Sequence, residues 1–228
     1  MNRRPNILVI MTDQQSAHMM SCTGSKWLKT PALDGLAASG IRFERAYAAN
    51  PVCVPSRFSL QTGRMPSSIG MKWNEDLPVP DTVIEQSLGA LFHAAGYETV
   101  YAGKVHLPGA LKRIEFNGYR DLTRDDRQGL ADVCTEFLRE PHEKPFFLFA
   151  SFINPHDICY LAINDALRAK GRMPLDTVGS RTCEAVADEV RERAVASSSP
   201  GEPLPPLPAR MVLWRSSSAP SLLAAYTA

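Results

Sequence analysis

Three apolar runs along the chain each end in a cluster of polar residues. Asn6-Ile7-Leu8-Val9-Ile10-Met11 gives way to Thr12-Asp13-Gln14-Gln15. Residues 97–102 lead into Gly103-Lys104-Val105-His106, and residues 146–153 into Asn154-Pro155-His156-Asp157. Short, continuous, β-branched or aromatic runs predict strands buried on both faces, as in a parallel sheet, and the first reads as a central one. Ligands of such sheets gather at the carboxyl ends of the strands, where these polar clusters fall.

Between the runs the apolar spacing changes to the helical period. Thr30 can cap a helix that Pro31 opens and Gly40 closes, with Leu33, Leu36 and Ala37 as its buried stripe. Residues 41–47 then alternate as a strand, with Ile41, Phe43 and Arg45 on one side. After the loop 49–52, Pro55 suits the first turn of a short helix and Gly63 its left-handed end, which puts Cys53 just ahead of it. Residues 65–80 read as a loop. Asp81 or Thr82 caps the next helix, with Val83, Ile84, Leu88, Leu91 and Phe92 as its apolar face and Gly96 as its end. Residues 125–140 form another, with Leu130, Val133, Cys134, Phe137 and Leu138 on one face. Strands alternating with helices predict an α/β fold, a mainly parallel sheet with helices on both faces.

The pattern fades from about Asn164. Residues 183–196 suit a polar helix, and residues 197–228 are rich in Ser, Pro and Ala, a composition that does not build a core and is expected to be disordered. The expected division is a domain over 1–163 and a low-complexity tail over 164–228.

Composition narrows the class without fixing it. The 228 residues, 44% hydrophobic and 21% charged, are enough for one good core. A formal charge of +1 argues against nucleic-acid or membrane-surface partners held by bulk electrostatics. The five cysteines, at 22, 53, 134, 159 and 183, are odd in number and lack C-x-x-C spacing, so neither a disulfide framework nor a zinc site is indicated. The run after Arg3-Arg4 is too short for a signal peptide and no stretch is long enough to span a membrane, so the expected location is cytoplasmic.

The candidate chemistry sits at the polar ends of the runs and at Cys53-Val54-Pro55-Ser56-Arg57. A cysteine ahead of a helix meets unpaired backbone N–H groups and the positive end of the helix dipole, which favour an anion. Arg57, one turn on, offers a planar fork of donors to the same anion. Together they suggest attack on a sulfate- or phosphate-like group. Three residues separate Cys53 from Arg57, where a tyrosine-phosphatase loop needs five, and the surroundings of a papain-type cysteine are absent. Asp13 suits a hard divalent cation or a turn. Lys104 and His106, two apart in an extended segment, face one side, the lysine to hold an anionic oxygen and the histidine to exchange protons. His156 stands at the third strand end.

The order C-x-P-S-R resembles the signature of the type I sulfatases, in the alkaline-phosphatase-like superfamily. Three further segments resemble that family: T-P-x-L-D-x-L-A-x-x-G-x-x-F-x-x-A-Y from Thr30 to Tyr47, G-K-x-H at Gly103 to His106, and S-F-x-x-P-H at Ser151 to His156. The resemblance covers roughly residues 5–163. It implies a sulfuric ester hydrolase of alkaline-phosphatase-like fold in which Cys53 is oxidised to formylglycine. One hydroxyl of the hydrated aldehyde attacks sulfur, and the other lets the sulfated intermediate collapse. It further implies a divalent metal, calcium, at Asp13, Gln14 and the modified Cys53. Arg57, Lys104, His106 and His156 become catalytic residues, with His156 at the leaving-group oxygen and Asn74 in the substrate pocket, although a turn asparagine fits Asn74 equally. Implied partners are a sulfate-ester small molecule or sulfated glycan and a formylglycine-generating enzyme. Family members are usually longer, with a later Asp-His or Asp-Asn metal pair. No aspartate here is followed by His or Asn, so the sheet is expected to be incomplete. A non-catalytic remnant and a phosphonate or phosphodiester hydrolase stand as alternatives.

Overall fold

Strands whose side chains are apolar on both faces need a cover on each, and the chain supplies it unevenly. The computed structural model describes residues 4–26, 28–124, 127, 129–177, 180, 181, 185 and 188. Among these, β1 (Ile7–Asp13), β2 (Glu98–Gly103), β3 (Arg120–Thr123) and β4 (Phe146–Pro155) form one parallel sheet in the order β1-β4-β2-β3. Six α-helices accompany it among the described residues: α1 (Pro31–Ser39), α2 (Cys53–Thr62), α3 (Asp81–Ile84), α4 (Leu88–Ala94), α5 (Leu130–Arg139) and α6 (Ile158–Ala169). The expected α/β architecture with a mainly parallel sheet is present.

Alternation along the central strands divides the core in two. Tyr101, Phe147 and Phe149 point to one face and pack with Val54 and Phe58 of α2 and Val83 and Ile84 of α3. The rings of Tyr101 and Phe149 stack at 5.1 Å. Val100, Ala102, Leu148 and Ala150 point to the other, under Leu130, Cys134 and Phe137 of α5. Each such large side chain contributes about 1.5–3 kcal/mol on burial, so truncating Phe58 or Phe149 would be felt throughout the sheet.

Four expectations are corrected. β1 is an edge strand, not a central one: Ile7, Val9 and Met11 pack on the first core, while Leu8 and Ile10 are 42% and 57% exposed. The physical reason is that α5 packs on β2, β3 and β4, leaving β1 beyond its reach. Residues 41–47 do not form a strand. Ile41, Phe43 and Tyr47 are 84%, 79% and 87% exposed, and no described strand lies alongside to satisfy their backbone. For the same want of cover, α1 has its expected bounds but no buried residue. The single helix expected over 81–96 is two, because Ser87 turns extended between α3 and α4.

The chain divides into two units, Met1–Ala162 and Ile163–Ala228, the boundary falling inside α6. In the second unit Asn164 donates from Nδ2 to Ser180 Oγ at 2.7 Å and accepts the Leu175 N–H at 2.9 Å. Most of the polar helix expected over 183–196, and all of the tail from Ser197, lie outside the described residues. No helix among the described residues is long and apolar enough to cross a membrane.

Candidate active site

Because the strands are parallel, their carboxyl ends share one edge of the sheet, and the start of α2 meets them there. A register shift between Thr12 and Asp13 ends β1 and sets Asp13 opposite Pro155. Asp13 is 7% exposed. Its Oδ2 receives Lys104 Nζ at 2.6 Å and an Arg57 terminal nitrogen at 3.1 Å, while its Oδ1 accepts the Cys53 thiol at 3.7 Å. Lys104 reaches this point because Gly103 bends β2 with a φ of +87°, where a Cβ would lie 2.3 Å from the Ser151 carbonyl oxygen. The Lys104 N–H then bonds that same carbonyl at 2.8 Å.

Arg57 is 2% exposed and almost wholly committed to protein partners. One terminal nitrogen donates to the Lys104 carbonyl at 2.9 Å and Ser151 Oγ at 2.7 Å, and the other to Asp13. Only its Nε has no partner. The guanidinium therefore acts here on the carboxylate rather than presenting its fork outward. Ser151 and Tyr101 are site residues that sequence reasoning missed. Tyr101 donates from its hydroxyl to the Lys104 carbonyl at 2.9 Å. Ser151 opens the S-F-x-x-P-H segment, where the sequence assigns it no role, and is a polar residue inside the otherwise apolar run of β4.

The start of α2 differs from expectation in a way that bears on chemistry. Cys53 is the first helical residue and Pro55 the third. The Ser56 N–H bonds the Val52 carbonyl, the Val54 N–H bonds Asn74 Oδ1 at 2.9 Å, and proline has no N–H. The bank of free donors expected for an anion is thus reduced to the Cys53 N–H. Asn74, exposed, caps α2 from a distant loop, so it stands beside Cys53 for a structural reason of its own. Gly63 closes the helix with a φ of 66°, as expected.

The electrostatics favour an ionised carboxylate held by two cations beside a neutral thiol. Burial works against the charge on Asp13, but the hydrogen bond and charge of Lys104 and those of Arg57 outweigh it and hold the carboxyl below its ordinary value. Burial, with Asp13 beside it, pushes the Cys53 thiol up against the opposing charges of Lys104 and Arg57. Cys53 is thus a neutral thiol near pH 7, not a ready thiolate. His106, with a left-handed φ of 41°, is exposed on one side, yet the protein around it and the charges of Lys104 and Arg57 hold it down to about 4. Burial and Lys104 also lower His156, while Asp13 and Asp157 favour its charged form.

A carboxylate oxygen of Asp13, the sulfur of Cys53 and a ring nitrogen of His156 all lie within 4.8 Å of one another. Gln14, next along the chain, turns left-handed at a φ of 63° with its side chain exposed. A calcium ion takes about 6–8 oxygens. Asp13, with Oδ2 already held by two cations, and Gln14 supply oxygen, and Cys53 would do so only once oxidised. The residues thus suit such an ion in kind after oxidation and in number only in part.

The fold agrees with what known proteins show. The family model "Sulfatase" matches residues 5–166. A delta 4,5-hexuronate-2-O-sulfatase of Bacteroides thetaiotaomicron is 32% identical over 171 residues, covering 68% of this chain and 35% of that protein. The solved structure of a 2-O GAG sulfatase superposes with a TM-score of 0.61 at 28% identity, over 71% of this chain and 38% of that one. A phosphonate monoester hydrolase of Agrobacterium radiobacter shares the fold, at a TM-score of 0.55 and 20% identity over 68% of this chain and 42% of that one. The chain spans about a third or less of the length of the curated relatives it matches.

Proposed function

As the chain belongs to the sulfatase family, we propose that it is the nucleophile-bearing part of a sulfate-ester hydrolase, with Cys53 as the residue converted to formylglycine. The observation that carries this reading is the placement of Cys53. It is the first residue of α2, its thiol on Asp13, and Asp13 is fixed by Lys104 and Arg57. The raised thiol pKa fits a side chain that is altered before it acts, since a thiolate nucleophile would need the opposite shift.

The chain's own residues divide the work. Lys104, its ammonium in place at 2.6 Å from Asp13, holds anionic oxygen of the sulfuryl group. Arg57 keeps Asp13 ionised and in register with Ser151. His106, neutral because its pKa is about 4, accepts a proton at a ring nitrogen near neutral pH. His156, its pKa lowered by burial and Lys104 against the opposing pull of Asp13 and Asp157, stands on the leaving-group side. A divalent cation, calcium, would be held by Asp13, Gln14 and the modified Cys53, and would supply Lewis-acid stabilisation of charge. The substrate class is a sulfated glycan or smaller sulfate ester, supported by the named specificity of the 2-O-sulfatase relative. Fold likeness alone does not favour phosphonate chemistry.

The test is coexpression with a formylglycine-generating enzyme. Mass spectrometry of the Cys53 peptide is expected to show aldehyde in place of thiol. Sulfate release from a generic aryl sulfate is expected to be low, because the described residues complete only part of a calcium shell. Unmodified thiol, in cells that mature a control sulfatase, would remove the mechanism. Robust turnover that survives Cys53→Ala would remove Cys53 from it.

A further inference from the structure

Before any oxidation, the same corner of the sheet presents a different donor set: one carboxylate, one thiol and one imidazole. The Cys53 sulfur and Asp13 Oδ1 are 3.7 Å apart, and with a His156 ring nitrogen they form a triad whose ligand atoms lie within 4.8 Å of one another. A zinc ion bound at about 2.3 Å from sulfur and about 2.0 Å from oxygen in tetrahedral geometry spaces those two ligands by roughly 3.5 Å. Three protein ligands and one water complete such a shell, whereas they fall well short of a calcium shell. Sulfur and nitrogen donors also select borderline-soft cations over hard ones.

The surroundings of the histidine fit a ligand. Its Nδ1 lies 3.9 Å from Asp157 Oδ1, an ion-pair separation, and 3.9 Å from Cys159 Sγ. A ring nitrogen of His156 lies within reach of both the Cys53 sulfur and an Asp13 oxygen. Asp157 is 4% exposed and is gripped by Arg127, from Nε at 2.9 Å and from a terminal nitrogen at 3.2 Å. A carboxylate behind a metal-bound imidazole fixes the ring and raises its basicity. Lys104 and Arg57 oppose a cation by charge, but both act on Oδ2 and leave Oδ1 turned toward the sulfur.

We propose that Asp13, Cys53 and His156 of the unoxidised chain form a binding site for a thiophilic divalent cation of the zinc class. On binding, the Cys53 thiol releases its proton to solvent and exchanges its hydrogen bond to Asp13 for a bond to the metal. Metal and maturation then compete for one sulfur, so zinc withholds Cys53 from oxidation. The site depends on the free thiol and not on the hydrolytic reading, so either can fail alone.

The probes are zinc and cobalt(II) added to the full chain purified without maturation. One equivalent of cobalt is expected to give a thiolate-to-metal charge-transfer absorption that zinc bleaches. Cys53→Ser should abolish it, Asp157→Asn should weaken binding about 10–100-fold, and Cys22→Ser should leave it unchanged. Circular dichroism checks that each variant folds. In the wild-type chain, where no variant intervenes, zinc should slow alkylation of Cys53 at least about tenfold relative to Cys22, read peptide by peptide by mass spectrometry. Absence of the absorption, its persistence in Cys53→Ser, its loss in Cys159→Ser instead, or unprotected Cys53 would each overturn the proposal.

Discussion

Two cations hold one oxygen of Asp13 and keep its carboxyl below the ordinary value, and the cost of removing one can be stated. Arg57 and Asp13 are 2% and 8% exposed at their side chains. Breaking a buried pair from one side typically costs about 3–5 kcal/mol, since the partner charge is stranded. Arg57→Ala is therefore expected to lower the urea midpoint sharply. Arg57→Lys should recover only part, because an ammonium cannot bridge Asp13, Ser151 and the Lys104 carbonyl together. Equal midpoints for wild type and Arg57→Ala would show that Lys104 alone suffices. Acid should act through His106. An imidazole whose pKa falls from its ordinary 6.5 to about 4 on folding leaves the unfolded chain binding more protons between those values. Stability is therefore lost as pH falls through that window, with His156 pushing the same way and Asp13 adding to the loss below 3.8. Thermal melts should drop from pH 6.5 to 4, and His106→Gln should flatten that slope. An unaltered slope in the variant would place the titrating group elsewhere.

Individual elements were legible in the sequence where local chemistry alone decides them. β2 and β4 follow from uninterrupted apolar runs, and the end of α2 from Gly63, whose φ of 66° other residues rarely adopt. Most strand-end residues of the site followed from those strands and from family resemblance. What escaped were features made by distant partners: the break at Ser87, the cap that Asn74 places on Val54, and the use of Arg57 to hold Asp13 instead of facing outward. No spacing rule reports a hydrogen bond across 20 or 44 residues. Gly103 is the element-scale test. Its φ of +87° would cost a side chain about 1–2 kcal/mol, and the 2.3 Å approach to the Ser151 carbonyl adds a backbone clash. Gly103→Ala is expected to destabilise by more than that strain alone, and amide exchange should rise first at the ends of β2 and β4. A variant as stable as wild type would mean the bend can move.

At the scale of the molecule, β1 presents, among the described residues, an open edge with Leu8 and Ile10 uncovered beside it, and Leu36, Ile41, Phe43 and Tyr47 are exposed in the segment that follows. Such an edge templates pairing between chains. Sedimentation is expected to show concentration-dependent association that Ile10→Lys reduces. A monodisperse monomer at high concentration would exclude it. The order β1-β4-β2-β3 also has a consequence in time. β1 pairs, among the described strands, with β4 alone, Ile7 opposite Phe147. During synthesis at about 5–20 residues per second, roughly 5–20 s pass between the emergence of Cys53 and that of His156. Through that interval Asp13 has no neighbouring strand to fix it, and the thiol is a feature of a nascent chain, open to whatever reaches the ribosome exit first.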